Sequence, residues 1–541
     1  MGYVGGYIVE FWSTGWPALI LLAGFWYLGL CLLLGHRPIH GYWFIEQFLR
    51  ETLFCLTLAL LLPPAALLLC ILALYAFTPA ALVYQRVFGS PLSFTTLQYQ
   101  WKEGAEAFSW QFLGIVPGVV VRASLIFGLE VVLLWECLQQ PVSFGARYPM
   151  GLLCATGLTI VWAHSFNEVR RHMKGWASPA HLVPRYGYLV VWTFEYFWLR
   201  KEELLQEALS ARTVKQDRLT PIEGPVALPG NLVLIQAESL AFVILQESVR
   251  GGEITPFLNR ISGESMVFKI QAIHMNGSCD ADFTLLHSRM PGQSVATYRI
   301  PQYPQQHTLP LKARACGMPM TFLHGQKGEM YNRRGVFKSM GFEDVLFSEE
   351  MKLSYETEAT PRGGVPDHTV FEIAQRLLAT GNGFKVQLIV TVSCHAPFGD
   401  LPRDFRSEFS VAPGDYDMRY FNSVRYFDSA LEEFVGRTPD GTTFVIFGDH
   451  EPPGVAVGAP IAKGKRVEYV PGIVYQKGLN LASRQKTPKS FALSGELTML
   501  DLATWIHSWF DIAIALRECD SAEPGQRPLS GVTTGAPRIV T

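Results

Sequence analysis

Charge is what this chain has least of. Of its 541 residues only 17% are Asp, Glu, Lys or Arg, and the formal net charge is -2. That balance excludes nucleic-acid binding driven by bulk charge. Paired cysteines are missing too. The nine cysteines show no CxxC spacing, which excludes a cysteine zinc cluster and leaves disulfides optional. Ahead of the first apolar run there is no basic residue, and no small-residue cleavage site follows it, so that run does not read as a cleaved signal peptide.

What is abundant is hydrophobicity, 49% of the chain, and almost all of the excess falls before residue 200. Four apolar runs stand there: Trp16–Gly35, Thr52–Phe77, Gln111–Leu138 and Pro149–Ser165. Each is near or above the roughly 20 residues that cross about 30 Å of hydrocarbon as a helix. A single such run could be a buried globular helix, but four in succession read as a membrane bundle. Arg122 and Glu130 inside the third run are expected to face other helices or a wet cleft, because charge at that depth is expensive. A fifth run, Tyr186–Leu199, is short, aromatic and carries Glu195; it either crosses at a tilt or lies flat at the interface. Arg170, Arg171, Lys174 and Arg185 precede it, and such basic clusters mark the cytoplasmic side. If the fifth run crosses, everything after residue 200 is extracytoplasmic.

The expected organisation is therefore a transmembrane domain over 1–199, with four to five helices. An amphipathic, charged stalk helix and a Pro/Gly linker follow over 200–230, then an α/β domain over 231–520 and a loose polar tail over 521–541. Within the third segment, Asn231–Ala237, Met318–Leu323, Lys385–Val392 and Thr443–Phe447 are short, continuously apolar runs. Helical patterns lie between them, such as Val424, Phe427, Leu431 and Phe434. Two-sided apolar strands alternating with helices describe a mostly parallel central sheet.

In such sheets ligands gather at the carboxyl ends of the strands. Three runs end there in polar groups: Glu238-Ser239, Ser393-Cys394-His395 and Gly448-Asp449-His450. Glu238, Asp449 and His450 could converge on a divalent cation, and one imidazole with two carboxylates suits zinc or manganese better than magnesium. A fourth ligand is expected from HMNGSCDADF, residues 274–283. There Gly277 permits close backbone approach, and Ser278 offers a hydroxyl that a cation would activate as a nucleophile. Cys279 would suit a structural site better. Ser278 could instead merely cap a helix beginning at Asp280, a role compatible with catalysis because helix N-termini also attract phosphate.

Taken in order, Glu238 after a first strand, TPFLNRIS, GSCDADF, HGQKGEMYNRRGVFKSMGF, SCHAPF and GDHEPPG resemble the sulfatase/alkaline-phosphatase superfamily. Within it the pattern is similar to the lipoteichoic acid synthase family of membrane phosphotransferases. The resemblance implies an alkaline-phosphatase/sulfatase-like α/β domain behind a five-helix membrane bundle. It implies a metal, manganese first and zinc as the alternative, held by Glu238, Ser278, Asp449 and His450. Substrate contacts would fall on His324, Tyr331, Arg333 and His395, with Ser278, Arg333 and His395 catalytic. Serine stands where the family usually has threonine; Tyr331 replaces a tryptophan, and Gln326 an acidic residue. Sulfatases proper are disfavoured, since Ser278-Cys279-Asp280-Ala281-Asp282 lacks the proline and arginine of C/S-x-P-x-R.

The implied activity is transfer of phosphoglycerol from phosphatidylglycerol to a glycan or polymer acceptor through a phosphoserine. It would take place outside a bacterial cytoplasmic membrane, on the periplasmic side, from a multi-pass anchor. Two alternatives stay open: a phosphoethanolamine transferase, and a non-catalytic glycan-binding module with a structural metal.

Overall fold

The computed structural model describes residues 144–174, 179–198, 201–210 and 230–521, except 294, 301, 362, 381–382, 413–414, 454, 456–466 and 482–496, together with scattered positions between 50 and 132. The first expected membrane run, half of the second and most of the third, Arg122 and Glu130, residues 211–229 of the expected stalk and linker, and the tail from 522 lie outside the described residues.

Among the described residues, two long helices lie ahead of the α/β domain, α1 (Phe144–Lys174) and α2 (Pro179–Trp198). They contain the fourth apolar run and the fifth as far as Trp198, and pack through Val169, Val190 and the Phe166–Phe194 ring pair, 5.3 Å between centroids. Gly187, at φ 77°, kinks α2 where only glycine adopts the conformation cheaply. Glu195, the charge that makes the fifth run ambiguous, is buried and accepts the Phe94 N–H at 2.6 Å. Leu152, Leu153, Ile160, Tyr196 and Phe197 are exposed on these two helices. Among the described residues no helix is long and apolar enough to cross a membrane.

The short helix α3 (Lys201–Ser210) covers the first half of the expected stalk. It does not stand off from the domain: Leu204 and Ala208 are buried in the main core cluster, because its apolar stripe finds a protein face to cover.

Among the described residues, the main sheet of the domain after residue 230 has eight strands: β1 (Leu232–Ala237), β2 (Met266–Gln271), β3 (Met320–His324), β4 (Asp344–Leu346), β5 (Val386–Val390), β6 (Thr443–Gly448), β7 (Tyr469–Gln476) and β8 (Leu497–Thr498). Their order across the sheet is β8-β2-β7-β6-β1-β5-β3-β4. All neighbours are parallel except β7, which runs antiparallel to β2 and β6. The mostly parallel sheet is as expected. Alternation along β1 shows why its strand is apolar throughout: Leu232 and Leu234 enter one core cluster, Val233 and Ile235 the other. Successive side chains point to opposite faces, and both faces are covered.

One face carries α3, α5 (Cys279–His287), α6 (Leu309–Ala315) and α10 (Met499–Ser521); the other carries α4 (Pro256–Ser262), α8 (Asp367–Ala379) and α9 (Tyr416–Arg437). A one-turn helix, α7 (Arg333–Phe337), follows β3. Asp415 caps α9 by accepting the Met418 N–H at 3.1 Å, satisfying one of the donors a helix start leaves open. Register aligns the strand ends that matter: Ala237 opposes Gly448, and His324 opposes Val390. The residues after β1, β3, β5 and β6 thus emerge side by side along one sheet edge.

Candidate active site

Four of the residues expected to act together meet at that edge. Glu238 follows β1 and Asp449-His450 follow β6, whereas Ser278 arrives on the loop that opens α5. The Ser278 hydroxyl donates to Glu238 Oε2 at 3.0 Å and lies 3.3 Å from His450 Nε2. His450 Nε2 is in turn 3.3 Å from Glu238 Oε1 and 3.8 Å from Asp449 Oδ1. Glu238, Asp449 and His450 are buried, while Ser278 remains half-buried and reachable.

The backbone fixes this cluster. Ser239 and His450 both donate their N–H to Asp449 Oδ1 at 2.8 Å. Glu238 donates its own N–H to Thr391 Oγ1 at 3.0 Å, which ties it to the end of β5. Ser278 heads α5, but its side chain makes no capping bond; the hydroxyl is committed to Glu238 instead. Asp280 orders the loop by accepting the Met275 and Asn276 N–H groups at 2.7 Å each, and Gln236 Nε2 donates to the Ser278 carbonyl at 3.0 Å. The cap reading of Ser278 therefore fails, and the helix begins at Cys279 rather than Asp280. Cys279 itself is buried, and burial pushes its thiol well up, which argues against a free thiolate nucleophile there.

The cluster fits a divalent cation. Asp449 Oδ2 is fully buried without a hydrogen-bond partner, the kind of orphan that needs a positive ligand. The ligand atoms of Glu238, Asp449 and His450 all lie within 4.8 Å of one another. Electrostatics agree. Burial opposes charge on His450, yet the Asp449 and Glu238 carboxylates hold its imidazole well above its ordinary value. Burial also opposes ionisation of Glu238, but the His450 hydrogen bond and charge hold that carboxyl well below the usual range. Asp449 is pushed up to about 7, by burial first and the Glu238 charge second. Two adjacent carboxylates thus draw positive charge into a dry place.

The expected substrate residues surround this centre with unequal freedom. His324, the last residue of β3, donates Nδ1–H to the Val390 carbonyl at 2.9 Å and is buried. Burial, then the Arg333 charge, lowers it to about 3, so its ring is neutral and offers Nε2 as an acceptor. His395 is half-buried, with Nδ1 on the Ala396 carbonyl at 2.7 Å. Arg333 is 2% exposed and donates Nε and Nη2 to Asp282 at 2.9 and 2.5 Å. Its guanidinium lies 5.2 Å from the Tyr331 ring centroid, and Tyr331 in turn covers Gly277, where an added Cβ would lie 2.7 Å from Cζ of the ring. Tyr331 and Asn332 both take positive φ, 52° and 64°, a strained pair of the sort that persists around sites.

The sequence reading missed Asp282, although it lies in the quoted loop, and Tyr298, which donates to Asp282 Oδ1 at 2.6 Å. It also left His274 and Glu468 without a role. They sit against His450, the two rings stacked at 4.1 Å, and His274 Nδ1 is 3.2 Å from Glu468 Oε2.

A doubly covered, mostly parallel sheet with a hydroxyl, two carboxylates and an imidazole gathered at its carboxyl edge is an α/β architecture of the sulfatase/alkaline-phosphatase type. The chain belongs to the sulfatase family, whose sequence profile spans residues 230–509, just over half of it. It is 25% identical over 263 residues to a lipoteichoic acid synthase of Staphylococcus saprophyticus and 24% identical over the same length to that of Staphylococcus aureus. Each match covers 47% of this chain and 40% of the relative, so the likeness spans less than half the length of those proteins. In structure the chain resembles the integral membrane lipooligosaccharide phosphoethanolamine transferase A of Neisseria meningitidis, with a TM-score of 0.54, 12% identity and coverage of 92% and 98% of the two chains. The resemblance drawn from the motifs is thereby met at the level of the superfamily.

Proposed function

We propose that this protein is a membrane-anchored phosphotransferase that moves a phosphoglycerol head group from phosphatidylglycerol to a hydroxyl of a glycan or polymer acceptor. The observation that carries the reading is the Ser278 hydroxyl, held 3.0 Å from Glu238 and 3.3 Å from His450 at the head of α5. A hydroxyl is inert until a base or cation draws off its proton, and a helix start favours the phosphate it would attack. The staphylococcal relatives, named lipoteichoic acid synthases, support glycerol phosphate as the group transferred. Residues 1–199 would form the anchor, with the domain after 230 on the extracytoplasmic side. The apolar runs support this, as does the full-length likeness to an integral membrane protein.

Glu238, Ser278, Asp449 and His450 would hold the cation, manganese first and zinc second. When bound, it supplies positive charge that favours the ionised serine and the phosphoryl oxygens. Ser278 Oγ, its proton released to solvent through the half-open pocket, would form a bond to phosphorus as the bond to the diacylglycerol oxygen breaks, and a second proton goes to that oxygen. His395 is suited to deliver it from the half-open side of the pocket. His324 is not, because its neutral ring spends its one N–H on Val390; its Nε2 accepts a head-group hydroxyl instead. Arg333 adds positive charge beside the Tyr331 ring, on which the head group packs. An acceptor hydroxyl would then displace Ser278 from phosphorus, its proton returning to His395.

Intact-mass analysis after incubation with manganese and phosphatidylglycerol tests the reading. An adduct of glycerol phosphate on Ser278, absent from Ser278→Ala, is the expected result. A phosphoethanolamine adduct formed from phosphatidylethanolamine alone would change the donor and keep the chemistry. No adduct and no diacylglycerol release with either lipid would refute the proposal and favour a silent binding module.

A further inference from the structure

We propose that His274, Glu468 and Glu451 form a positioning device for His450, an inference that rests on the reading of His450 as a ligand of a divalent cation. A ligating imidazole must present one nitrogen while its other nitrogen and its plane are held by neighbours, and losing such supports costs metal affinity. Each constraint has a named source here. Nε2 faces Ser278 and Glu238, both at 3.3 Å. Nδ1 donates to the Glu451 carbonyl at 2.8 Å, which fixes the tautomer and leaves Nε2 as the only ligating atom. One ring face lies on His274, with centroids 4.1 Å apart and planes within 10°.

These supports are themselves locked together. Glu468 Oε2 is 3.2 Å from His274 Nδ1 and also accepts the Glu451 N–H at 3.2 Å. One carboxylate therefore holds both the stacked ring and the residue whose carbonyl anchors Nδ1. Glu451 returns the contact, its Oε1 accepting the Tyr469 N–H at 3.0 Å. The Ala272 N–H donates to the Glu468 carbonyl at 3.0 Å, continuing the antiparallel pairing of β2 and β7. That register sets His274 and Glu468 at one height behind the ligand. The same cluster could be read as a second cation site, since His274, His450 and Glu468 fall within 4.8 Å of one another. Geometry argues against it: both nitrogens of His450 are already committed, and two ligands would remain.

The test is calorimetric titration of manganese into the chelator-treated, full-length protein in detergent, beside the melting temperature of the chelated form. Glu468→Gln and His274→Ala should each weaken manganese binding about tenfold, the scale on which outer partners of metal ligands act. The chelated protein should melt as wild type. His274→Phe keeps the stacked plane and should recover most of the affinity lost in His274→Ala. At saturating manganese the variants should regain most of their turnover, which separates a positioning role from a catalytic one. Affinity within twofold of wild type in Glu468→Gln and His274→Ala would overturn the inference. Should His274→Ala melt early, the nearly isosteric Glu468→Gln decides alone. Wild-type protein that binds no manganese or zinc would sink the underlying metal reading instead, so the two failures are distinguishable.

Discussion

Replacing Arg333 with methionine should damage stability before it damages chemistry. The guanidinium is 2% exposed and its Nε and Nη2 donate to Asp282, itself fully buried, at 2.9 and 2.5 Å. Burial pushes the Asp282 carboxyl up and the Arg333 charge opposes that push. With Arg333→Met the volume is nearly kept, but Asp282 retains only the Tyr298 hydroxyl as a partner. Breaking a buried pair from one side costs about 3–5 kcal/mol, because the remaining charge stays desolvated. For a domain of this size that corresponds to a melting temperature lower by about 5–8 °C. Asp282→Asn in the same chain removes the stranded charge while its amide oxygen still accepts from Tyr298, so the double variant should regain most of the loss. Thermal unfolding of the purified full-length protein, followed by tryptophan fluorescence, measures both. Transfer of the lipid head group, measured alongside, should not return in the double variant if Arg333 also contacts phosphate. An Arg333→Met protein melting within about 1 °C of wild type would refute the reasoning and leave Arg333 as a substrate contact alone.

Three further outcomes are expected. Gly277→Ala puts a Cβ into Tyr331 at φ 111°, a conformation costing an L-residue about 1–2 kcal/mol; adduct formation on Ser278 should fall steeply while the fold survives, and unchanged transfer would show that Tyr331 is not held against the nucleophile loop. Manganese at about 100 times its dissociation constant should stabilise the chelated protein by about 2.7 kcal/mol, and a melting curve indifferent to both manganese and zinc would argue that no cation binds at Glu238 and Asp449. The third concerns acid. Burial first lowers His287 and His507 to about 4, so each favours the fold fully above pH 6.5, and that contribution is lost as pH falls through 4. The cost is about 3 kcal/mol apiece at the acid end. His287→Leu should flatten the acid slope of unfolding free energy, and an unchanged slope would mean that the ring is already charged in the fold.

Which parts of this molecule could be read from its sequence follows from what each part depends on. The parallel strands β1, β3, β5 and β6 are covered on both faces, so their apolar character is continuous and local, and their carboxyl ends announce Glu238, His395 and Asp449-His450 in the linear sequence. Strand β7 was not legible. Its sequence YVPGIVYQ carries Pro471 and Gly472, residues that argue against an interior strand, yet the sheet places it between β2 and β6. Missing that strand also hid the supports of His450. Glu468 stands one residue before β7 and His274 three beyond β2, and they meet only through antiparallel pairing of segments nearly 200 positions apart. Arg333 shows the converse. A motif marks the position, but a motif cannot say that 51 residues upstream a buried aspartate takes two donors of the guanidinium. Ligands at strand ends are thus specified by local sequence, whereas the groups that orient them are specified by pairing. Motifs alone name the residues at the strand ends and overlook the pairing that sets their neighbours beside them.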